Sequence, residues 1–304
     1  MTKRATTDDL PRAAAFMVAA ALLFAGMGLT VKVASGFLSN QGVVFLRNTF
    51  GLLALLPWLG VLRRQGLGTR NLREHLVRSL AGLASMYCYF FALGRLPLAV
   101  AVLLNYSLPL FLPLVERVWF GQRLPAGLWP PLLVGFAGIA LVLQPGPGLV
   151  QPVALVGLAA ALLASVAQVG VRQLTATDPP ERIVFYFAVI STAVSAVPAA
   201  AAWQMPPRGL WGLLLVMGVL ATAGQLTMTR AYSLAPAGRV GPFIYSSVVF
   251  AGALDWFFRG TLPDTLSLCG AGLVMVAGIM ALRIKRPATA TDKGAPEPQR
   301  TQSN

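Results

Sequence analysis

The sequence predicts an all-α integral membrane protein with ten transmembrane helices, arranged as two inverted five-helix repeats. Three observations carry this prediction: the composition, the spacing of the apolar runs, and an offset of about 140 residues at which the chain resembles itself. Of the 304 residues, 56% are hydrophobic and 11% are charged, whereas a soluble domain has about 25% charged residues. The mean hydropathy of +0.70 comes from the whole chain, which is typical of a polytopic membrane protein.

Ten apolar runs are long enough to be membrane spans, since one crossing needs about 20 mainly apolar residues. Turn residues or charges separate the runs. A signal peptide is the weaker interpretation of the first run, because its apolar core is long and many spans follow. In chain order the runs cover residues 13–31, 42–62, 76–94, 97–120, 127–143, 152–171, 183–203, 210–229, 240–258 and 266–284.

Lysine and arginine set the predicted orientation, because they collect in cytoplasmic loops. With the N-terminus inside, nineteen of the 24 lie in cytoplasmic segments, four lie outside and Arg47 lies within a span. We therefore expect a multi-pass protein of the bacterial inner (plasma) membrane with both termini in the cytoplasm. The same rule explains the net charge of +14, and a nucleic-acid partner is not expected because no aromatic–basic pattern appears.

The spans and the repeat divide the chain into five parts. Cys88 and Cys269 lie in apolar runs and predict no disulfide framework. His75 is the only histidine, so a histidine-based metal site is not expected, and neither is a cofactor. The parts are a cytoplasmic N-terminal segment (1–12), a first repeat (13–145), a periplasmic linker (146–151), a second repeat (152–284) and a disordered cytoplasmic tail (285–304).

The internal repeat keeps one register from the first span to the last. At an offset of 139, Asn-Tyr-Ser at 105–107 meets Ile-Tyr-Ser at 244–246, and Glu116 meets Asp255. At an offset of 140, Ala-Ala-Leu-Leu recurs at 20–23 and 160–163. Because each half has an odd number of spans, the halves must have opposite orientations in the membrane. Inverted repeats are typical of transporters that open a central site to either side.

Short motifs recur in order through both halves. They include Tyr89-Phe-Phe-Ala-Leu-Gly-Arg-Leu-Pro97 and Thr229-Arg-Ala-Tyr-Ser-Leu-Ala-Pro-Ala237. Over about residues 13–284 the chain resembles the drug/metabolite transporter superfamily, EamA type. The resemblance implies a central cavity lined by spans one to four and six to nine, with spans five and ten peripheral. The family's Gly-Glu after the fourth span is replaced here by Gly121-Gln122, so its acidic cap is missing.

Polar side chains inside a bilayer are costly, so they should face a cavity or one another. Arg47 is the sharpest candidate for substrate binding, because it lies roughly 9 Å of helix rise inside the second span. Its guanidinium could bind a carboxylate or phosphate with two hydrogen bonds, and snorkelling or a structural pair is the alternative. Further substrate-binding candidates, each of which could instead make an interhelical hydrogen bond, are Asn48, Tyr87, Asn105, Tyr106, Gln168, Gln225, Tyr245 and Ser246.

Two acidic residues related by the repeat are candidates for coupling or gating. Asp255 could carry a coupling proton or form a gate, but Arg259 four residues later offers an ordinary helical ion pair. Glu116 lies beside Arg117 near the predicted inner end of the fourth span, where an interfacial role competes with gating.

Two prolines interrupt the fourth span. Pro109 and Pro113 each remove a helical donor, so they predict a kink that suits a binding site or hinge, or else an ordinary packing bend. Arg78 and Arg230 lie near the predicted inner ends of helices and are interpreted as snorkelling or topological charges.

The function predicted from these features is secondary-active transport of a small metabolite by alternating access. The absence of a Gly-rich phosphate loop argues against an ATP-driven pump. A membrane-embedded enzyme is an alternative, although no Gly-x-Ser-x-Gly motif or membrane histidine supports it. A channel or lipid-handling protein is another. The expected partners are a small-molecule substrate and the lipid bilayer; import or export, protons as the coupling ion and a homodimer stay open.

Overall fold

The apolar runs of the sequence form helices. The structure is a computed structural model, and it describes residues 9–58, 60, 66, 68–120, 127, 129–143, 152–175, 177–234, 241–260 and 264–283. Within these ranges all regular secondary structure is helical. The α-helices are α1 (Leu10–Ala34), α2 (Asn40–Ala54), α3 (Leu72–Leu93), α4 (Leu98–Asn105), α5 (Leu108–Phe120), α6 (Trp129–Leu143), α7 (Pro152–Leu174), α8 (Pro180–Ala201), α9 (Trp211–Leu234), α10 (Ser246–Arg259) and α11 (Thr265–Arg283).

Short 3₁₀ turns cover Leu56–Trp58, Arg208–Leu210 and Gly241–Tyr245. The second span was expected to reach residue 62, but α2 ends at Ala54 and a 3₁₀ turn that contains Pro57 follows. Proline cannot continue a helical hydrogen-bond ladder, which accounts for the earlier end. The predicted linker at 146–151 and tail at 285–304 lie outside the described residues.

Five of the described helical segments are long and apolar enough to cross a membrane. They are Leu10–Ala34, Leu72–Leu93, Pro152–Val171, Pro180–Ala201 and Arg208–Leu234, with shorter apolar helices at Val100–Leu112, Phe243–Phe258 and Leu268–Ala277. Large apolar side chains also cover the outside of the bundle, as expected for a surface that faces lipid tails. Examples are Val118, Leu133, Val197, Val249, Phe257 and Leu268.

Helices of the two halves interlock. The most extensive contacts join α3 to α7 and α1 to α9, which are equivalent pairs under the repeat offset. Replacing each helix by its equivalent in the other repeat also turns the α2–α9 contact into the α3–α8 contact. It turns the α1–α10 contact into those of α7 with α4 and α5. In the pairs α2–α8 and α6–α11, the two helices in contact are each other's equivalents in the two repeats. Each half is therefore packed mainly against the other.

A helix discontinuity occurs at the same place in each half. The predicted fourth span is divided into α4 and α5 between Asn105 and Leu108, and Ser107 Oγ donates to the Leu104 carbonyl at 2.6 Å. In the second half the 3₁₀ turn ends at Tyr245 and α10 begins at Ser246. The Ser246 Oγ donates to the Phe243 carbonyl at 2.7 Å. These two hydrogen bonds are equivalent under the offset of 139.

The first discontinuity precedes the prolines of the fourth span. Pro109 is the second residue of α5, where its missing N–H costs little because the first helical donors have no partner within the helix. Pro113 and Glu116 also lie in α5. The side chains of Pro109, Pro113 and Glu116 lie outside the described part of the chain.

The closest approach of α2 and α9 depends on glycine. A Cβ added at Gly218 would lie 2.6 Å from the Phe50 carbonyl carbon and 2.8 Å from the Gly51 nitrogen. The adjacent Thr222 Oγ1 donates to the Gly51 carbonyl at 2.8 Å. Small residues and interhelical hydrogen bonds of this kind allow membrane helices to pack backbone to backbone.

We expect Gly218→Ala to lower the melting temperature of the purified protein, because the added methyl forces α2 and α9 apart at a cost of about 1–3 kcal/mol. Gly212→Ala in the same helix is the matched control, since nothing lies within 4 Å of its added Cβ. Equal melting temperatures for the two variants would show that this contact does not limit stability.

Candidate functional site

A cavity of about 140 Å³ lies between the helices of the two halves. Its lining residues come from α1 to α5 and from α7 to α9, whereas α6 and α11 pack against each other. Apolar, aromatic and polar side chains are mixed in this lining, which suits a small amphipathic ligand. The lining residues are Phe24, Met27, Arg47, Arg78, Gly82, Ser85, Met86, Tyr89, Phe90, Asn105, Tyr106, Leu108, Ala164, Ala167, Gln168, Val171, Phe187, Gln225 and Met228.

Two arginines give the cavity its charge. Arg47 on α2 is 5% exposed and Arg78 on α3 is 4% exposed. Both approach the ring of Phe187 on α8: the guanidinium carbon lies 3.9 Å from the ring centroid for Arg78 and 5.9 Å for Arg47. Arg47 Nη1 also donates to Asn48 Oδ1 at 2.8 Å. The aromatic face and the amide hold two cations in place without neutralising them.

Among the described residues, no carboxylate lines this cavity. The acidic side chains that the structure describes lie at helix ends or in loops, and Glu116 is outside that set. Arg47 Nε and Arg78 Nε and Nη1 are buried without a hydrogen-bond partner among the described residues. The cavity is therefore positively charged and has spare hydrogen-bond donors. The described acidic residues are Asp9, Glu74, Asp178, Glu181, Asp255 and Asp264.

Three amide side chains lie on the same cavity. Gln168 Nε2 is 3.8 Å from the Met228 sulfur, a weak contact. Asn105 Oδ1 and Gln225 Oε1 are buried without a partner among the described residues. Whichever way each amide is turned, it presents one acceptor and two donors. These groups can accept hydrogen bonds from N–H or O–H groups of a ligand.

The structure brings five of the predicted binding residues together on the cavity wall: Arg47, Asn105, Tyr106, Gln168 and Gln225. Buried Asn48 contacts Arg47 but lines no part of the cavity.

Three other candidates, Tyr87, Tyr245 and Ser246, lie away from the cavity wall. The Tyr87 and Tyr245 hydroxyls are buried without a hydrogen-bond partner among the described residues. Ser246 instead donates to its own 3₁₀ turn.

Sequence reasoning missed Arg78 and Phe187. The interpretation of Arg78 as a snorkelling charge is wrong, because its side chain is buried in the bundle against Phe187. The predicted third span began at residue 76, but α3 begins at Leu72, which places Arg78 one turn deeper. The depth argument that selected Arg47 would have selected Arg78 with the correct helix start. No pattern in the sequence distinguishes Phe187 from other apolar residues.

Asp255 lies away from the cavity and caps a helix. It is 2% exposed, and its Oδ2 accepts a hydrogen bond from the Leu98 backbone N–H, the first of α4, at 2.8 Å. A carboxylate at this position satisfies an orphan donor and complements the helix dipole. Lys32 Nζ donates to the carbonyls of Leu93 at 3.2 Å and of Leu96. The turn between α3 and α4 is thus held by both charges.

The expected partner of Asp255, Arg259, has its side chain outside the described residues. The ion pair with Arg259 therefore stays a prediction, and the structure adds a contact that the sequence did not suggest: a backbone donor 157 residues away in the chain.

A second polar cluster lies at the opposite end of α3, around Asp178. Its carboxylate accepts hydrogen bonds from Arg182 Nη1 at 2.9 Å, Thr177 Oγ1 at 3.1 Å and Asn71 Nδ2 at 3.4 Å. His75 Nε2 lies 3.8 Å from Oδ2. Burial opposes ionisation of this carboxylate, but the hydrogen bonds outweigh it, so the pKa of Asp178 lies below its ordinary value.

Comparison with known proteins agrees with the resemblance noted in the sequence. The profile of the EamA-like transporter family matches residues 11–144 and 151–283. A solved crystal structure that covers 88% of this chain, and is itself covered to 96%, superposes with a TM-score of 0.64. At 20% sequence identity it shows a shared fold only.

Relatives with a named substrate match over most of their length. The chain is 35% identical over 286 residues to the pseudopaline exporter CntI of Pseudomonas aeruginosa, covering 92% of this chain and 99% of that protein. It is 26% identical to a riboflavin transporter of Vibrio cholerae, covering 87% and 90%. Identity to an S-adenosylmethionine uptake transporter of Rickettsia bellii is 23%, covering 81% and 84%.

We expect Asp255→Ala to lower the melting temperature, because Leu98 N–H loses its acceptor at a cost of about 0.5–2 kcal/mol. Asp255→Asn keeps a neutral oxygen acceptor and should fall between Asp255→Ala and the unmodified protein. Thermal unfolding in detergent measures the series. An unchanged melting temperature for Asp255→Ala would refute the capping role.

The lowered pKa of Asp178 predicts a stability difference that depends on pH. A carboxylate with a depressed folded-state pKa stabilises the folded protein above the unfolded-state pKa of about 3.9, and this contribution is lost as pH falls through the folded-state pKa. At pH 7 Asp178→Asn should be less stable by about 1–3 kcal/mol. Melting temperatures from pH 7 to pH 3 should converge for the variant and the unmodified protein; a constant gap would contradict the assignment.

Proposed function

The chain belongs to the EamA-like transporter family, and from this premise we propose that it is a secondary-active transporter that moves a small metabolite across the bacterial inner membrane by alternating access. The proposal rests on one observation: each extensive contact between helices around the cavity has an equivalent contact in which the helices of the two repeats change places. A site between two equivalent halves can be opened to one side or the other by exchanging their conformations.

The proposed topology has ten spans in two inverted repeats of five, with both termini in the cytoplasm. The fourth span comprises α4 and α5, and the ninth comprises the 3₁₀ turn with α10. The nineteen-to-four distribution of lysine and arginine supports this orientation. It gives the turn between α3 and α4 a periplasmic location and the Asp178 loop a cytoplasmic one.

Two polar closures then lie on opposite sides of the cavity. On the periplasmic side, Lys32 and Asp255 hold the turn between α3 and α4. On the cytoplasmic side, Arg182 Nη2 donates to the Gly66 carbonyl at 2.7 Å, and Arg230 Nη2 lies 3.8 Å from Glu181 Oε1. In the proposed cycle these closures form and break in alternation. The helix discontinuities at Ser107 and Ser246 supply the places where the fourth and ninth spans bend.

The names of the relatives do not assign a substrate or a direction. One is named an exporter and another an uptake transporter, so the family accommodates both directions. Pseudopaline, riboflavin and S-adenosylmethionine are different compounds, and the site of each transporter must differ in the side chains that line it.

We expect a crosslink on the periplasmic side to hold the cavity open to the cytoplasm. A Cβ at Gly94 would lie 3.2 Å from Ser35 Cβ, close to the range of about 3.5–4.5 Å in disulfides, so Ser35→Cys with Gly94→Cys should form one. Ala164→Cys reports access to the cavity, in a background where Cys88 and Cys269 are replaced by serine.

The measurement is labelling at position 164 by a membrane-impermeant maleimide in inside-out and right-side-out vesicles, located by peptide mapping because the cysteines at positions 35 and 94 also react when they are reduced. Oxidation should abolish labelling from the periplasm and increase it from the cytoplasm, and reductant should restore both. Gly94→Cys alone is the control. A channel would lose periplasmic labelling without a cytoplasmic gain, and that result would refute alternating access.

A further inference from the structure

We infer that the cavity selects a small organic anion whose carboxylate binds between Arg47 and Arg78 and which also carries N–H or O–H donor groups. This inference rests on the proposed transport function, since it names the substrate class of the same cavity. It goes beyond Arg47 alone, because the structure supplies a second guanidinium from another helix.

Arg47 and Arg78 give the cavity two positive charges. Arg47 and Arg78 are both more than nine-tenths buried, and each has at least one N–H-bearing atom with no acceptor among the described residues. A buried charge is strongly unfavourable unless it is paired. Every carboxylate that the structure describes lies elsewhere. An anion in the cavity would supply the missing counter-charge.

Neighbouring side chains hold the donor groups of Arg47 and Arg78 in position. The Arg78 guanidinium carbon lies 3.9 Å from the centroid of the Phe187 ring, and Arg78 Nε and Nη1, on different edges of the guanidinium, have no hydrogen-bond partner among the described residues. Asn48 occupies one edge of Arg47 through Nη1 and leaves Nε. Arginine presents planar, fixed donors that match a carboxylate in two parallel hydrogen bonds. The side chains are thus positioned before the ligand arrives.

Other residues of the cavity indicate the chemistry of the rest of the ligand. Asn105 Oδ1 and Gln225 Oε1 are buried acceptors without partners among the described residues, so they favour hydroxyl or amino groups on the ligand. Phe24, Met86 and Phe90 supply an apolar wall for a hydrocarbon part. The cavity volume of about 140 Å³ is below the usual range of about 300–1,000 Å³ for drug-sized ligands, which favours a small hydroxy- or amino-carboxylate.

The test uses the full chain purified in detergent, with melting temperature as the readout. The probes are L-malate, citrate, L-glutamate and L-phenyllactate, each compared with its fully amidated counterpart at equal ionic strength. A ligand that binds the folded protein stabilises it by mass action, and a carboxylate at tenfold its dissociation constant should raise the melting temperature by about 2 °C. The amides should give no shift.

Variants assign the shift to the two arginines. Arg47→Gln and Arg78→Gln should each weaken the affinity by about tenfold or more, since each loses a charged hydrogen-bond donor. Arg47→Lys and Arg78→Lys keep the charge and the side-chain stem but lose the fork, so they test the geometry if a glutamine variant unfolds. Arg95→Gln is the matched control, because Arg95 also lies 3.7 Å over a ring, that of Phe91, but is exposed.

The proposal is overturned if no carboxylate stabilises the protein more than its amide, or if the shift persists in the variants of both cavity arginines. It is also overturned if inorganic phosphate, sodium chloride or phosphatidylglycerol micelles reproduce the whole shift, because the site would then recognise a general anion or a lipid headgroup.

The outcome is separable from that of the proposed function. Two-sided access of the cavity cysteine together with binding of neutral ligands alone would retain the transporter and refute the anion site. Anion binding without two-sided access would retain the anion site and refute alternating access.

Discussion

The contact of two buried guanidinium groups with one phenylalanine ring sets the chemistry of this bundle. Burying a charged side chain in an apolar interior costs more free energy than burying any other kind of side chain. Arg47 and Arg78 nevertheless lie where three helices meet around Phe187. The described carboxylates lie at helix ends and in loops, so they do not neutralise the pair. This positive charge, held in a mainly apolar bundle, determines which ligands the cavity can bind.

The interlocked halves explain how such a site can exist in a mainly apolar chain. Because α3 packs on α7 and α1 on α9, the residues that line the cavity come from both repeats. Glycines such as Gly218 allow the backbones to approach, and hydroxyl groups such as that of Thr222 satisfy carbonyls across the helix contact. Close packing of this kind leaves few intermediate arrangements, which favours movement of the halves between discrete positions.

The described charged groups outside the cavity lie mainly near the ends of helices. Asp255 caps α4, Lys32 contacts the preceding turn, and Asp178 gathers donors from two loops. Each of these groups satisfies backbone or side-chain atoms that would otherwise be buried without partners. In the proposed cycle, hydrogen bonds of this type would be exchanged for contacts with water when an end of the bundle opens, while the apolar helix pairs stay intact.

The sequence by itself determined the helical membrane class, the repeat and the family, because hydropathy, residue period and motif order are local properties of the chain. It also selected Arg47 by its depth in a span. Only the tertiary structure decided that Arg78 joins it, since the start of α3 was predicted one turn late, and that Phe187 lies between them. Only the tertiary structure shows that Asp255 accepts a hydrogen bond from the Leu98 N–H across the bundle. Contacts between distant helices depend on how the helices pack, and a local pattern does not contain that information.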